Sequence, residues 1–271
     1  MIDLAGRVIA ITGASSGIGR ATAIACAEAG MSVAIMARRA DKLRAVANEI
    51  PEGRSLIFAG SVEDADACCA FLDETERTLG PPFTVFANAG YGVESDTLEM
   101  SDDDVRRMFE VNLFGSVNIL RPALDGMIER GEGHAVMCSS CLSKLGMPRY
   151  AAYSASKAAQ DHFGRALRHE LGPRGVRVST VHPIGTKTEF FEKAAERSKD
   201  GLTLMDRSKE AFMQPPEKVA RAIVKRLKKD RGGEIWTSVS TRTLLGFATF
   251  APGLTDFALR QMVRSRMKSH R

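Results

Sequence analysis

Thr12-Gly13-Ala14-Ser15-Ser16-Gly17-Ile18-Gly19 is the stretch from which the rest of the 271-residue chain is read. Ahead of it, Arg7-Val8-Ile9-Ala10-Ile11 is an apolar, β-branched run of the kind that forms a buried strand. Behind it, Arg20 to Ala29 is rich in helix formers and stops at Gly30. The glycines therefore sit on a strand-to-helix turn. Glycine there lets the backbone turn tightly and lets a pyrophosphate approach without meeting a Cβ. The backbone N–H groups around Gly13, Ser15, Ser16, Gly17, Ile18 and Gly19, with the positive end of the helix dipole, are expected to face the anion.

Other uses of such a loop fit less well. No lysine follows Gly19, so this is not a lysine-bearing triphosphate loop. Gly13-Ala14-Ser15-Ser16-Gly17 also spells the G-x-S-x-G elbow of hydrolases, with Ser15 as nucleophile. That elbow takes part of its oxyanion hole from an earlier strand and loop, whereas this one follows the first strand. A glycine turn that binds nothing is the plainest alternative, and the strand–turn–helix context speaks against it.

Composition sets the frame. An apolar share of 44% and a charged share of 26% suit a globular protein with an ample core. The formal net charge of +5 is mild and much of it comes from the last dozen residues, so no nucleic-acid partner is expected. The chain enters its first strand without a secretory signal, and no apolar run approaches the roughly 20 residues of a membrane span. Five cysteines, an odd number, suit a reducing compartment, and a cytoplasmic location is expected.

Strand and helix signals then alternate. Ser32 to Ala37 reads as a strand ending at Arg38-Arg39, and Ala40 to Ile50 as a helix. A carboxylate at that strand end would grip adenosine ribose hydroxyls, whereas two guanidinium groups suit a 2′-phosphate, so NADP is favoured over NAD. Ser55 to Ala59 is a third strand, Glu63 to Leu79 a helix, and Phe83 to Ala87 a fourth strand capped by Asn88-Ala89-Gly90. This alternation is that of a doubly wound α/β fold, a parallel sheet of about seven strands with helices on both faces. Strand ends line the ligand crevice of such a sheet, which makes Asn88, Ala89 and Gly90 cofactor candidates.

Ser101 caps a long helix that continues through Met108, Phe109, Val111, Leu113 and Leu120, with Asp102, Asp103 and Asp104 as ordinary dipole partners rather than metal ligands. Asn112 stands mid-helix, where an amide has poor propensity. His134 to Cys138 is a strand ending in Ser139-Ser140-Cys141. Cys138 and Cys141 spell C-x-x-C, but zinc needs two further ligands and none is evident, so no metal is expected. The next helix opens at Tyr150 and runs to Leu171. Tyr153 and Lys157 stand four apart on it and share one face. A phenol, whose ordinary pKa is about 10, is a sluggish acid at neutral pH, and an adjacent ammonium favours the phenolate. Ser140 could hold a substrate oxygen beside that phenol.

Taken together, Thr12-Gly13-x-x-x-Gly17-x-Gly19, Asn88-Ala89-Gly90, Asn112, Ser140 and Tyr153-x-x-x-Lys157 resemble the short-chain dehydrogenase/reductases in their compact single-domain form. The resemblance runs from residue 5 to about 240. It implies Tyr153 as acid–base and Ser140 as the group orienting a carbonyl or alcohol. It implies that Lys157 binds the nicotinamide ribose and lowers the Tyr153 pKa, and that Asn112 holds a water linking Lys157 to solvent. Arg38 would mark NADP preference, with Arg39 beside it. Where the family has an aspartate before Val62 this chain has Ser61, whose hydroxyl can still accept a hydrogen bond from adenine. After the strand Arg177 to His182, Pro183-Ile184-Gly185-Thr186-Lys187-Thr188 replaces the usual Pro-Gly, with Pro183 and Thr188 still expected to reach the cofactor. Residues 185–215 correspond to the family's lid, whose Phe190, Phe191, Leu202, Leu204, Met205, Phe212 and Met213, with Leu142, Met147 and Tyr150, suggest an apolar substrate pocket.

The expected product is an NADP-dependent hydride transfer to or from a small carbonyl or alcohol, by a homodimer or homotetramer. A non-catalytic NADP-binding sensor or scaffold is the alternative, and would be expected to lack Tyr153 or Lys157. Pro215-Pro216 opens a helix through Lys229, and Glu234 to Val239 reads as the last strand. Residues 1–242 would form the nucleotide domain and 243–271 an arm. In that arm Leu244, Leu245, Phe247, Phe250 and Leu254 form an apolar patch, and Leu259, Met262 and Val263 share a helical face flanked by basic residues. Such a stripe suits packing on the lid or a sister subunit, or peripheral contact with an anionic membrane surface.

Overall fold

Residues 1–190, 194 and 213–269 are described in the structure, a computed structural model. The apolar runs form seven parallel strands, β1 (Val8–Thr12), β2 (Ser32–Ala37), β3 (Ser55–Ala59), β4 (Pro82–Ala87), β5 (Gly133–Cys138), β6 (Val176–His182) and β7 (Gly233–Trp236). They lie in the order β3-β2-β1-β4-β5-β6-β7. Register aligns Ile11 with Ile35 and with Phe86, so the centre of the sheet is largely a run of apolar residues covered on both faces. Strand order reverses between β1 and β4, and a crevice opens there beyond the strands' carboxyl ends.

Alternate side chains point to opposite faces and build two cores. Ile9, Ile11, Val33 and Ile35 pack under α1 (Gly17–Glu28), α2 (Ala40–Ala47) and α7 (Pro216–Lys228). Ala10, Ala34, Val85 and Met137 pack under α3 (Ala65–Leu79) and α5 (Gly115–Arg130). Small residues on that second face let α3's Phe71 and α5's Ile119 and Met127 come close to the sheet.

Three expectations change. The long helix after Ser101 is not uniform: α4 (Asp102–Phe109) passes into a single π-helical turn, Glu110–Phe114, before α5. The wider turn accommodates one extra residue and turns Asn112 inward, where its amide bonds to Tyr91 and Ser156. The last strand stops at Trp236 rather than Val239, because the Ser238 side chain accepts the Thr241 N–H and caps a helix, α8 (Val239–Phe250). Residue 243, the expected start of the arm, therefore lies inside α8. The helix after β2 ends at Ala47, short of Ile50. After α6 (Ala151–Leu171), α7 and α8, the last helix is α9 (Pro252–Ser269).

The glycine loop tolerates almost no added volume. A Cβ on Gly19 would stand 2.5 Å from the Gly13 carbonyl oxygen and 2.9 Å from the Ala14 Cα, both backbone atoms that cannot swing away. Gly246, inside α8, has open space around it. Gly19→Ala is expected to lower stability by about 1–3 kcal/mol through overpacking. Gly246→Ala is expected to raise stability by up to about 1 kcal/mol through lost unfolded-state entropy. Urea titration of both variants checks the pair, and equal effects would contradict the crowding at Gly19.

Candidate active site

One cleft of about 740 Å³ runs along the carboxyl edge of the sheet. Its lining includes, from the candidate set, Gly13, Ser15, Ser16, Gly17, Ile18, Arg38, Arg39, Ser61, Val62, Asn88, Ala89, Gly90, Ser140, Tyr153, Lys157, Pro183 and Thr188. Gly19 is not on the wall, and its part is to let Gly13 and Asn88 pack against α1. Asn112 lies behind the wall, fully buried.

At the phosphate-loop end the cleft is basic. Arg39 donates to Ser15 Oγ and Ser16 Oγ, each at 3.1 Å, and pairs with Glu189 at 2.9 Å. Lys42 pairs with the same carboxylate. Arg38 is exposed on the cleft wall and has no hydrogen-bonded partner among the described residues. Of the two arginines it is thus Arg39, not Arg38, that turns onto the loop. The Ser61 hydroxyl donates to the Glu63 carboxylate at 3.1 Å, and Glu63 itself lines the cleft and pairs with Arg107. Sequence reading passed over Glu63.

The floor of the cleft has no room for side chains where Asn88-Ala89-Gly90 ends β4. A Cβ at Gly90 would stand 2.9 Å from Asn112 Oδ1 and 3.1 Å from Lys157 Nζ. A backbone-walled trough with donors at one end and hydroxyl groups at the other fits a dinucleotide laid along it, phosphates on the glycine loop. In that pose Ser15, Ser16 and the N–H groups of Gly17 to Gly19 would hold the pyrophosphate, and Lys157 would face the far ribose.

At the other end, α6 carries Tyr153 and Lys157 one turn apart, with Lys157 Nζ 5.8 Å from the Tyr153 ring centroid. Ser140 follows β5 and caps a short 3₁₀ turn, Cys141–Lys144, its hydroxyl accepting the Leu142 N–H at 3.1 Å. Ser140 and Tyr153 both line this end of the cleft. Burial pushes the Tyr153 phenol above its ordinary pKa, and the Ser140 side chain beside it draws it part of the way back. Lys157 Nζ donates to Cys138 O and to Gln160 Oε1, both at 2.8 Å. Gln160 in turn donates to Ser116 Oγ at 2.7 Å, and Ser116 donates to Asn112 O at 2.8 Å. Lys157 and Asn112 are thus joined through side chains, and the amide of Asn112 is spent on Tyr91 and Ser156. Gln160 and Ser116 were not singled out from sequence. The only available signal was that Gln160 follows Lys157 by three residues on one helix face.

A second unforeseen group stands behind Ser140. His182, the last residue of β6, stacks on Trp236 with centroids 4.5 Å apart and lies within 3.2 Å of Ser140 O and 3.4 Å of Asp161 Oδ1. Lys144 Nζ sits 2.6 Å from Asp161 and 2.9 Å from Glu234. Burial raises the Asp161 carboxyl, but the His182 ring and the Lys144 ammonium beside it outweigh burial and hold the group well below the usual carboxylate range. Asp161, His182 and Glu234 have the donor atoms of a metal site. Here the Lys144 ammonium already supplies the positive charge the two carboxylates need.

The substrate side is apolar. Val93, Met108, Tyr150 and Tyr153 form a third core, with Leu142, Met147 and Phe190 packed against it. Phe190 lies on Tyr153, ring centroids 5.1 Å apart. Tyr150 donates to the buried Glu94 at 2.8 Å, one polar contact in this wall. Met262 of α9 also reaches the cleft. The two ends of the expected lid are tied together, Lys187 N donating to Gln214 O at 2.9 Å and Gln214 N to Gly185 O at 2.9 Å. The lid residues Phe191, Leu202, Leu204, Met205 and Phe212 lie outside the described residues.

The protein family described as short chain dehydrogenase matches residues 7–199. An uncharacterized oxidoreductase of Mycobacterium tuberculosis is 36% identical over an alignment of 202 positions that covers 69% of this chain and 59% of that protein. The match thus spans well under two thirds of that relative. A crystal structure of a short-chain type dehydrogenase/reductase from Mycobacterium marinum superposes with a TM-score of 0.76 at 29% identity, covering 86% of this chain and 94% of the other. The 3-ketoacyl-(acyl-carrier-protein) reductase of Brucella melitensis, complexed with NADH, shares the fold at a TM-score of 0.76 and 23% identity over 86% and 96% of the two chains.

Burial lowers the Lys157 ammonium to about 8 from an ordinary 10.5. The unfolded chain then binds more protons than the native one between those two values, so this group's penalty is full below about 8 and is relieved as pH rises. Relative to Lys157→Met, the wild-type chain is expected to gain stability between pH 7.5 and 9.5, by at most about 1.4 kcal/mol per pH unit. Parallel urea curves at both pH values would show that the ammonium is not desolvated.

Proposed function

This chain belongs to the short-chain dehydrogenase/reductase family, and we propose that it is an oxidoreductase of that type. We propose that it is NADP-dependent and moves a hydride between NADP(H) and a small, apolar carbonyl or alcohol, with Tyr153 as acid–base. The observation that carries this reading is that Ser140, Tyr153 and Lys157 line the same cleft as the glycine loop and the arginine pair. When bound, the nicotinamide would supply or accept the hydride.

In the direction of reduction the chain's own work is proton transfer and orientation. The Tyr153 phenol donates its proton to the carbonyl oxygen as negative charge grows there. The Ser140 hydroxyl holds that oxygen beside the phenol and stabilises the developing charge. Lys157 contributes positive charge close by, and its links to Gln160, Ser116 and Asn112 keep its ammonium oriented. Leu142, Met147, Tyr150 and Phe190 exclude water around the reacting carbon and select an apolar substituent.

Two guanidinium groups at the end of β2, one on Ser15 and Ser16 and one exposed on the wall, support a 2′-phosphate there. The fold neighbour from Brucella melitensis holds NADH, so the cofactor choice rests on Arg38 and Arg39 themselves. The proposal extends to a homodimer or homotetramer as the working form, and to the family's lid over residues 185–215.

A panel of ketones and aldehydes scored by NADPH oxidation tests the activity. Tyr153→Phe should lower turnover on any active substrate by roughly 10²–10⁴-fold while leaving NADPH binding nearly intact. A variant that keeps most of its rate would remove Tyr153 from the role. If no substrate is reduced by the wild-type chain while NADPH still binds, the sensor or scaffold reading gains.

Arg38→Ala combined with Arg39→Ala should weaken NADP by about tenfold or more, since charge-assisted hydrogen bonds are worth roughly 1.5–3 kcal/mol. NAD, which lacks the phosphate, should change by about twofold or less on the same grounds. Titration of each cofactor with intrinsic fluorescence separates the two. Equal losses would count against a phosphate site.

A further inference from the structure

We propose that α8 and α9 form a docking surface for an anionic lipid bilayer. Val239, Leu244, Phe247, Phe250, Leu254 and Phe257 stand between 55% and 86% exposed on these two helices. Elsewhere among the described residues only Met1, Leu98 and Phe114 are large apolar side chains in solvent. At about 100° per residue, the four on α8 fall within one arc of about 140°. Leu245, on the other side of α8, is buried, and the helix packs on the 3₁₀ turn Cys141–Lys144. Three of the six are phenylalanines, close together in the chain around the Ala251-Pro252 junction. A run of apolar side chains like this is unfavourable in water and marks an interaction surface.

Charge decides which occupant it fits. Residues 237–271 hold five arginines and one lysine against a single acid, Asp256, and so account for the whole formal net charge of +5. The other 236 residues balance to zero. A second copy seated on this face about a two-fold axis would set the basic segment against its own duplicate, with one carboxylate per copy in compensation. A bilayer offers both complements at once: an apolar interior for the phenylalanines and anionic headgroups for the guanidinium groups. Arg260 and Arg264 follow Phe257 by three and seven residues, share its side of α9 and are exposed. Their aliphatic stems can lie along the apolar layer while the charged ends reach the headgroups. Among the described residues no helix is long and apolar enough to cross a membrane, so the contact is peripheral. The inner side of α9 delivers Met262 to the cleft wall, which sets the bilayer beside the candidate active site.

The test is co-sedimentation of the whole chain with vesicles of phosphatidylcholine alone and of mixed phosphatidylcholine and phosphatidylglycerol, with mass in solution followed by light scattering. The mixed vesicles should be bound at least about tenfold more tightly, since each basic residue near an anionic surface contributes about 1 kcal/mol. That preference should fade as salt rises. Phe250→Glu combined with Phe257→Glu should cut binding about tenfold or more, because apolar burial sets the strength of interfacial contacts. Melting temperature and mass should stay as in the wild type. Arg260→Glu combined with Arg264→Glu should remove the lipid preference and leave the fold intact. Failure to bind, equal binding to both vesicle types, or indifference to both double variants overturns the proposal. So does a fall in mass on replacing the phenylalanines, which would make this face an interface between copies.

Discussion

Everything in this molecule depends on how closely the end of β1 approaches the end of β4. Thr12 Oγ1 accepts the N–H groups of Asn88 and Ala89 at 3.1 Å each, and the Asn88 amide donates to Thr12 O at 3.0 Å and Gly13 O at 3.2 Å. A Cβ on Gly13 would stand 2.7 Å from the Ala89 Cα. Bare backbone on one strand end therefore meets bare backbone on the other, stitched by one threonine and one asparagine. The cleft opens where these two strands part company with their helices, and its phosphate end and its catalytic end are held in one frame.

A second constraint is the handling of buried charge. Lys157 lies in the protein with a carbonyl and an amide as hydrogen-bond partners rather than a carboxylate, which stabilises the ammonium only in part. Its proton is correspondingly loose. The Lys144, Asp161, His182 and Glu234 group takes the opposite course, pairing each charge closely. The contrast fits their positions. The first faces the cleft, and the second braces the turn that carries Ser140 from behind, through His182 and the Trp236 ring.

Much of this was legible in the amino-acid sequence itself. Buried parallel strands are near-continuous apolar runs, so six of the seven are legible to within one residue at each end, and the glycine loop announces its turn by composition alone. Periodicity could not reveal the π-helical turn at Asn112: one additional residue shifts the apolar stripe by about 100°, but the eight residues of α4 are too few to fix the phase ahead of it. Nor could it end β7 at Trp236, where a serine cap competes with a β-favouring run. The path from Lys157 through Gln160 and Ser116 joins α6 to α5, and a relation between segments more than forty residues apart leaves no local trace. For Arg38 and Arg39 sequence supplied the pair, and only geometry distinguished which one turns onto Ser15 and Ser16.

The wall of the cleft that Met262 completes has a bearing on how the protein comes into being. The glycine loop lies more than 200 residues ahead of α9 (Pro252–Ser269), so it is synthesised well before the helix that reaches the far wall. During synthesis the strands at the centre of the sheet can assemble while the cleft still stands open on one side. Domains of this size commonly pass through partly organised states as they grow. The far wall is thus set in place after the frame it leans on, and the order of translation becomes an order of assembly.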